Sequence, residues 1–152
     1  MLPRLTRAMK PAMSRLIKRK MEIRPLFHQA DMMGVIHNVE YFRWFEEGRL
    51  QIMLEVLPMA EALDLGVGMP VVENYCCYKT PARFGDILTL YTTHRISALY
   101  EGRLRFDHSL VNNKNKTEIA CGYAVATLVD MSTMQLIKQW TARLWERYQS
   151  LQ

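Results

Sequence analysis

Apolar positions along the chain follow two periods, one near four and one of two, and each predicts its own kind of element. Residues 40–57 (EYFRWFEEGRLQIMLEVL) contain no proline and run into Pro58, which predicts one long helix. At 100° per residue, Arg43, Glu47, Gln51 and Glu55 form a single polar stripe, and aromatic or aliphatic side chains fill most of the remaining circumference. So narrow a stripe predicts a helix largely enclosed by the fold. An interior helical glycine costs about 1 kcal/mol relative to alanine, so something is expected to pack closely at Gly48. Arg49 falls among Phe42, Phe45, Met53 and Val56. A cation there needs a partner, and Glu46 lies one turn away. A structural ion pair and a direct substrate role are both open for it.

The remaining pattern is mainly that of strands. Residues 21–28 have a short strand pattern, and 29–36, with Asp31 and Gly34, read as a loop. Residues 70–79 are extended, and the following TPARFGD carries the turn formers Pro81 and Gly85. Residues 86–97 are rich in Thr, Ile and Leu, and they lead through Tyr100–Glu101–Gly102 into 103–111. That segment alternates, with Arg103, Arg105, Asp107 and Ser109 on one face and Leu104, Phe106, His108 and Leu110 on the other. After the turn at 112–116, residues 117–130 place Ala120, Gly122, Ala124 and Ala126 on one face, small enough for a helix to come close. Residues 140–149 suggest a short amphipathic helix. One helix wrapped by about four consecutive antiparallel strands is an α+β architecture. Its exposed sheet edges favour edge-to-edge dimerisation.

Composition narrows the class. The chain has 152 residues, 49% hydrophobic and 23% charged, which is one globular domain. No apolar run reaches the roughly 18–20 residues of a membrane-spanning helix, so a soluble, cytoplasmic protein is expected. The net charge of +5 is concentrated: residues 1–20 hold seven of the twenty basic residues and no acid, leaving 13 basic against 15 acidic residues beyond. The expected division is a basic extension at 1–20 and a folded domain at 21–152. The extension reads as a transit peptide, as a segment for an acidic surface, or as a dispensable stretch with Met9, Met13 and Met21 as alternative starts. A domain without a basic face is not expected to bind nucleic acid. Cys76, Cys77 and Cys121 lack disulfide-framework or zinc spacing. Adjacent Cys76 and Cys77 point to opposite faces of a strand, so reduced thiols serving as small core residues are expected, and no metal site.

Candidate chemistry gathers in the loop ahead of the helix: His28, Asp31, His37 and Asn38, with Glu46 beyond. An acid there faces unpaired N–H groups at the helix start, which can serve an anion or oxyanion. A carboxylate beside such donors is a minimal kit for acyl transfer to water, although a helix cap is the plainer role for a loop aspartate. His108, on an apolar strand face, reads first as a satisfied core histidine and second as a wall of an acyl pocket. Met32 and Met33 would suit a pliable apolar site.

Residues 31–49, DMMGVIHNVEYFRWFEEGR, resemble the signature of hot-dog-fold thioesterases of the 4-hydroxybenzoyl-CoA type. The matching positions are Asp31, Gly34 at +3, Tyr41 at +10 and the acidic-x-x-Arg of Glu46–Arg49. YKTPARFGDILTLYT (78–92) resembles the same family's strand–turn–strand, in which Pro-Ala-Arg precedes Gly-Asp. The resemblance spans about residues 21–140. Some relatives have His at +7, where this chain has Asn38, and an aromatic at +6, where it has His37. Others carry Asn at both. Glu40 stands where family members often have Asn.

The resemblance implies a hot-dog fold, an antiparallel sheet around one long central helix, and an acyl-CoA thioesterase. Asp31 would be the nucleophile or the base that activates water, and the Asn38 N–H would polarise the thioester carbonyl. Removing such a donor typically costs about 100–1000-fold in rate. His37 would act in catalysis, orient Asp31 or cap the helix; Gly34 and Tyr41 would contact substrate. The acyl group would lie in an apolar tunnel beside the helix at a subunit interface of a homodimer or homotetramer. The reaction implies no metal and no cofactor. The thioester would be carried by CoA or by an acyl-carrier protein, with Lys79, Arg83 and Arg95 as candidates for the CoA phosphates. Rival readings are a hot-dog enoyl-thioester hydratase, a non-catalytic acyl-thioester binding module and an unrelated α+β interaction domain. Hydratases of this fold resemble Asp, then Asn-Pro, then His at +5, whereas Asp31 is followed by Met-Met-Gly and His37 lies at +6.

Overall fold

The computed structural model describes residues 15–96, 102–139 and 142–151. Five strands, β1 (Arg15–Ile23), β3 (Val71–Tyr78), β4 (Leu88–Ile96), β5 (Leu104–Asn112) and β6 (Glu118–Ala126), form one sheet in the order β1–β4–β5–β6–β3. All four pairings are antiparallel. The two-residue strands β2 (Val67–Gly68) and β7 (Val129–Asp130) pair separately. The long helix, α1 (Asn38–Val56), packs on the inner face of the sheet. Two shorter helices, α2 (Met59–Asp64) and α3 (Ala142–Ser150), flank its far end. No helix among the described residues is long and apolar enough to cross a membrane.

Alternation decides which face is inner. On β5, Leu104, Phe106, His108 and Leu110 are buried while Arg105 and Asp107, like Arg103 just ahead of the strand, are exposed. The close approach expected at Gly48 is real: a Cβ there would stand 2.4 Å from Thr92 Oγ1 and 2.8 Å from Leu90 Cδ2. The small face of β6 works the same way, since a Cβ on Gly122 would meet the Tyr75 carbonyl oxygen at 2.1 Å and Phe45 Cε2 at 2.8 Å. The core divides along the helix. Its N-terminal half packs Tyr41, Trp44 and Phe45 on Leu88, Leu90 and Leu110. Its C-terminal half packs Ile52, Met53 and Val56 with Phe106, Leu144 and Tyr148.

Three features differ from the sequence reading. The first strand begins at Arg15, six residues before Met21, and ends at Ile23. Arg15 to Lys20 pair with β4 from Ile96 to Tyr91. Four basic residues assigned to the extension thus sit on a sheet edge, where charge is tolerated and blocks further pairing. One of them, Arg19, bonds Glu55 of α1 at 2.6 and 2.8 Å. Second, β3 and β4 are not neighbours. The segment after β3 is no hairpin turn; it crosses three strand positions, about 14 Å, to reach the far side of the sheet. Third, α2 went unpredicted, a short helix that follows Pro58 as its N-cap residue. Residues 1–14, which include Arg4, Arg7, Lys10, Met9 and Met13, lie outside the described residues. So do Ser97, Tyr100, Glu101, Trp140 and Thr141.

Candidate active site

The loop ahead of α1 is closed by the Ala30–Ile36 bridge. Inside it, the Asp31 N–H donates to Val35 O at 2.8 Å and the Gly34 N–H to Asp31 O at 3.0 Å. Gly34 sits at φ +70, the left-handed conformation that glycine adopts without penalty. Asp31 Oδ1 accepts the N–H groups of Met33 (2.8 Å) and Val35 (3.3 Å). Its second oxygen takes no hydrogen bond from the described residues. The carboxylate thus holds its own loop with one oxygen and keeps the other uncommitted.

The crossing segment after β3 holds the loop in place. The Ile36 N–H donates to Ala82 O at 2.8 Å, the Ala82 N–H donates to Tyr41 Oη at 3.2 Å, and Arg83 Nη1 reaches Gly34 O at 3.3 Å. The PAR motif is therefore the clamp of the Asp31 loop. Glu40, buried in the first turn of α1, accepts from Gln29 Nε2 at 2.7 Å and from Arg43 at 3.2 Å, tying the preceding 3-10 turn (Phe27–Gln29) to the helix.

A cavity of about 400 Å³ opens between these parts, walled by Asp31, His37, Asn38, Tyr41, Tyr78 and Lys79. His37 is the N-cap residue, exposed and without a side-chain cap bond. Its carbonyl takes the Glu40 N–H at 3.0 Å, and the N–H groups of Asn38 and Val39 donate to no acceptor among the described residues. Such donors, with the helix dipole behind them, favour negative charge. Tyr41 is buried; its phenol pKa is raised by that burial, against the bond from Ala82. Met32 and Met33 are exposed and, with Asp31 and His37, line a shallow open depression beside the cavity.

Asp31, His37, Asn38 and Tyr41 thus share one cavity. Gly34 shapes the loop and does not line the cavity. His28 forms neither a hydrogen bond nor an ion pair with Asp31. His108 lies in the core, with Nδ1 3.0 Å from Thr92 Oγ1 and its ring stacked on Phe45 at 4.6 Å. Burial pushes its pKa down to about 4. Arg49 is 3% exposed, with Nη2 3.3 Å from Glu46 Oε1 and with Nε and Nη1 unpartnered among the described residues. Burial lowers its pKa, opposed by Glu46. It lies on a second cavity of about 330 Å³, with Leu50, Met53, Leu57 and Met69 around it.

Tyr78 was missed from the sequence. It ends β3, donates its hydroxyl to Asn38 O at 2.9 Å, and sets its ring edge-on to Tyr41 at 5.0 Å. Burial raises its phenol to about 12. Its position at the head of the matched YKTPAR segment was the available signal.

Residues 25–144 match the model of the Thioesterase-like superfamily, and the chain belongs to that family. The fold is the hot-dog fold of thioesterases. A DHNA-CoA thioesterase from Staphylococcus aureus superposes with a TM-score of 0.75 at 22% identity, over 87% of this chain and 89% of that one. A 4-hydroxybenzoyl CoA thioesterase variant complexed with 4-hydroxybenzoyl CoA gives 0.73 at 17% identity, over 86% and 97%. A Bacillus subtilis protein provisionally named as an acyl-CoA thioesterase is 28% identical over 74 residues, 48% of this chain and 54% of that protein. The chain spans about half the length of the curated relatives it matches.

Proposed function

We propose that the protein hydrolyses an acyl-CoA thioester to a free carboxylic acid and CoA. The observation that carries this is the pairing, on one cavity, of a carboxylate with an uncommitted oxygen and the unpaired N–H groups at the start of α1. The thioester carbonyl oxygen lies against the Asn38 N–H, where developing negative charge is stabilised. Asp31 either attacks the carbonyl carbon, giving an anhydride that water then cleaves, or takes a proton from the attacking water. The CoA thiolate leaves and is protonated to the thiol. His37, exposed on the same wall, is a second polar group available to water or substrate, and Tyr41 packs against the acyl group. Family membership and the bound CoA thioester of the 4-hydroxybenzoyl CoA thioesterase support the choice of substrate class.

The active form is a dimer paired through β3 in this proposal. The two free edges of the sheet differ: β1 presents Lys18 and Lys20, whereas β3 leaves Val71, Val72, Tyr75 and Tyr78 half-exposed. An apolar edge with so little charge needs a cover, and a second β3 supplies one.

A panel of acyl-CoAs from acetyl to palmitoyl and benzoyl, assayed for thiol release, tests the reading. Turnover on at least one member that drops by about 100-fold or more in Asp31→Ala is expected. A folded wild type inert across the panel would contradict it.

A further inference from the structure

The three cysteines, read from the sequence as reduced thiols serving as small core residues with Cys76 and Cys77 on opposite faces, are divided by the sheet. Cys76 faces inward against the core around Phe45 and Leu90. Cys77 and Cys121 point to the outer face, and they are direct partners in the β3–β6 register. The next rung on the same face brings its side chains into contact, Tyr75 stacking on Tyr123 at 5.4 Å, and just past the end of β3 Lys79 pairs with Glu118. Directly opposed residues of an antiparallel pair have Cα atoms about 4.5 or 5.5 Å apart. Both values fall within the roughly 4.4–6.8 Å that a disulfide spans. Both thiols are free and partly exposed, and edge pairing through β3 would leave the outer face of the sheet open.

We propose that Cys77 and Cys121 form a thiol modification site, a cross-strand pair that closes to a disulfide by exchange with a low-molecular-weight disulfide such as glutathione disulfide. One protein thiolate attacks a sulfur of the oxidant, releasing one glutathione thiol and forming a mixed disulfide. The second protein thiolate attacks the protein sulfur of that bond and releases the other glutathione. Two protein thiols lose two electrons, the oxidant gains them, and the two protons end on the released thiols.

Closure has a route to the active site. Opposed Cβ atoms stand about 4.5–5.5 Å apart in a sheet and about 3.5–4.5 Å apart in a disulfide, so the rung tightens by about 1 Å. Tyr78 is the next residue, on the opposite face, bonded to Asn38 O at the mouth of the Asp31 cavity. A shift of that size at a catalytic wall costs up to about 100-fold in rate. The effect on rate rests on the proposed hydrolysis, whereas the disulfide itself does not.

The test incubates the full chain with glutathione disulfide and follows intact mass, thiol count and peptide map. Thioester absorbance is then assayed before oxidation, after it and after reduction. Expected are loss of two thiols, a mass lower by two hydrogens, a Cys77–Cys121 linked peptide, and a rate at least about 3-fold lower that reductant restores. Cys121→Ser should form no internal disulfide and keep its rate. A disulfide involving Cys76, glutathione adducts that never resolve, or a closed Cys77–Cys121 bond with unchanged turnover would each overturn the proposal. Should no thioester be turned over at all, the thiol count and the peptide map alone decide the site.

Discussion

The two ends of α1 treat their polar groups in opposite ways. At the C-terminal end, Tyr148 of α3 is fully buried and its hydroxyl lies 3.1 Å from both His94 Nε2 and Met53 Sδ. Arg147 donates to Val56 O at 3.1 Å and to Glu61 at 2.5 Å, so a carbonyl left over by the helix end is answered. At the N-terminal end the N–H groups of Asn38 and Val39, one oxygen of Asp31 and the ring of His37 take no partner among the described residues and stand exposed or half-buried around a cavity. Around Tyr148 and Val56 the bonds are made within the chain; at Asp31 and Asn38 the free groups are exposed on a cavity, the place the proposed substrate would occupy.

Changing the answered end should cost stability and spare chemistry. Tyr148→Ala removes a large buried ring with its bonds and is expected to lower unfolding free energy by about 3–5 kcal/mol. Denaturant melts measure this, while the rate of the protein that remains folded should hold. A loss under about 1 kcal/mol would erase the contrast between the ends.

Next in size is the pH response of His108, between the two ends and 4% exposed. Desolvation depresses its folded pKa to about 4 from 6.5, with Asp107 opposing and Arg49 assisting. The unfolded chain therefore takes up the proton first. Stability present above pH 6.5 is lost as pH falls towards 4, by roughly 3 kcal/mol. Unfolding curves at several pH values in this window should steepen this loss in wild type and flatten it in His108→Gln. Equal slopes would mean that the histidine is solvated. The smallest effect belongs to His37→Ala, where an exposed side chain without a cap bond should shift stability by less than about 0.5 kcal/mol. A rate that falls in this variant assigns His37 to the chemistry; a melting temperature that falls assigns it to the helix.

The long helix was legible because Pro58 stops it and because its polar stripe is narrow; 40–57 was expected and Asn38–Val56 is found. The alternation of β5 and the small face of β6 were legible for the same reason, a period imposed by burial. The first six residues of β1 were not, because an edge strand carries charge at most outward positions and only Ile17 and Ile23 are buried. At the site, Asp31, His37, Asn38 and Tyr41 stand within eleven residues of one another and could be read together. Tyr78 could not, since its contact with Asn38 spans forty residues and depends on strand order, which local spacing does not encode. Glu40 likewise looked like a departure from the family pattern, and it serves as the anchor between the 3-10 turn and the helix.

Asp31→Asn tests the central claim most directly. The amide oxygen can still accept from the Met33 and Val35 N–H groups, so the loop is kept while the uncommitted carboxylate oxygen is lost. Acyl-CoA hydrolysis is expected to fall by about 100-fold or more, with a melting temperature within about 2 °C of wild type. Retained turnover, or a loss of rate that follows a loss of stability, would contradict the account.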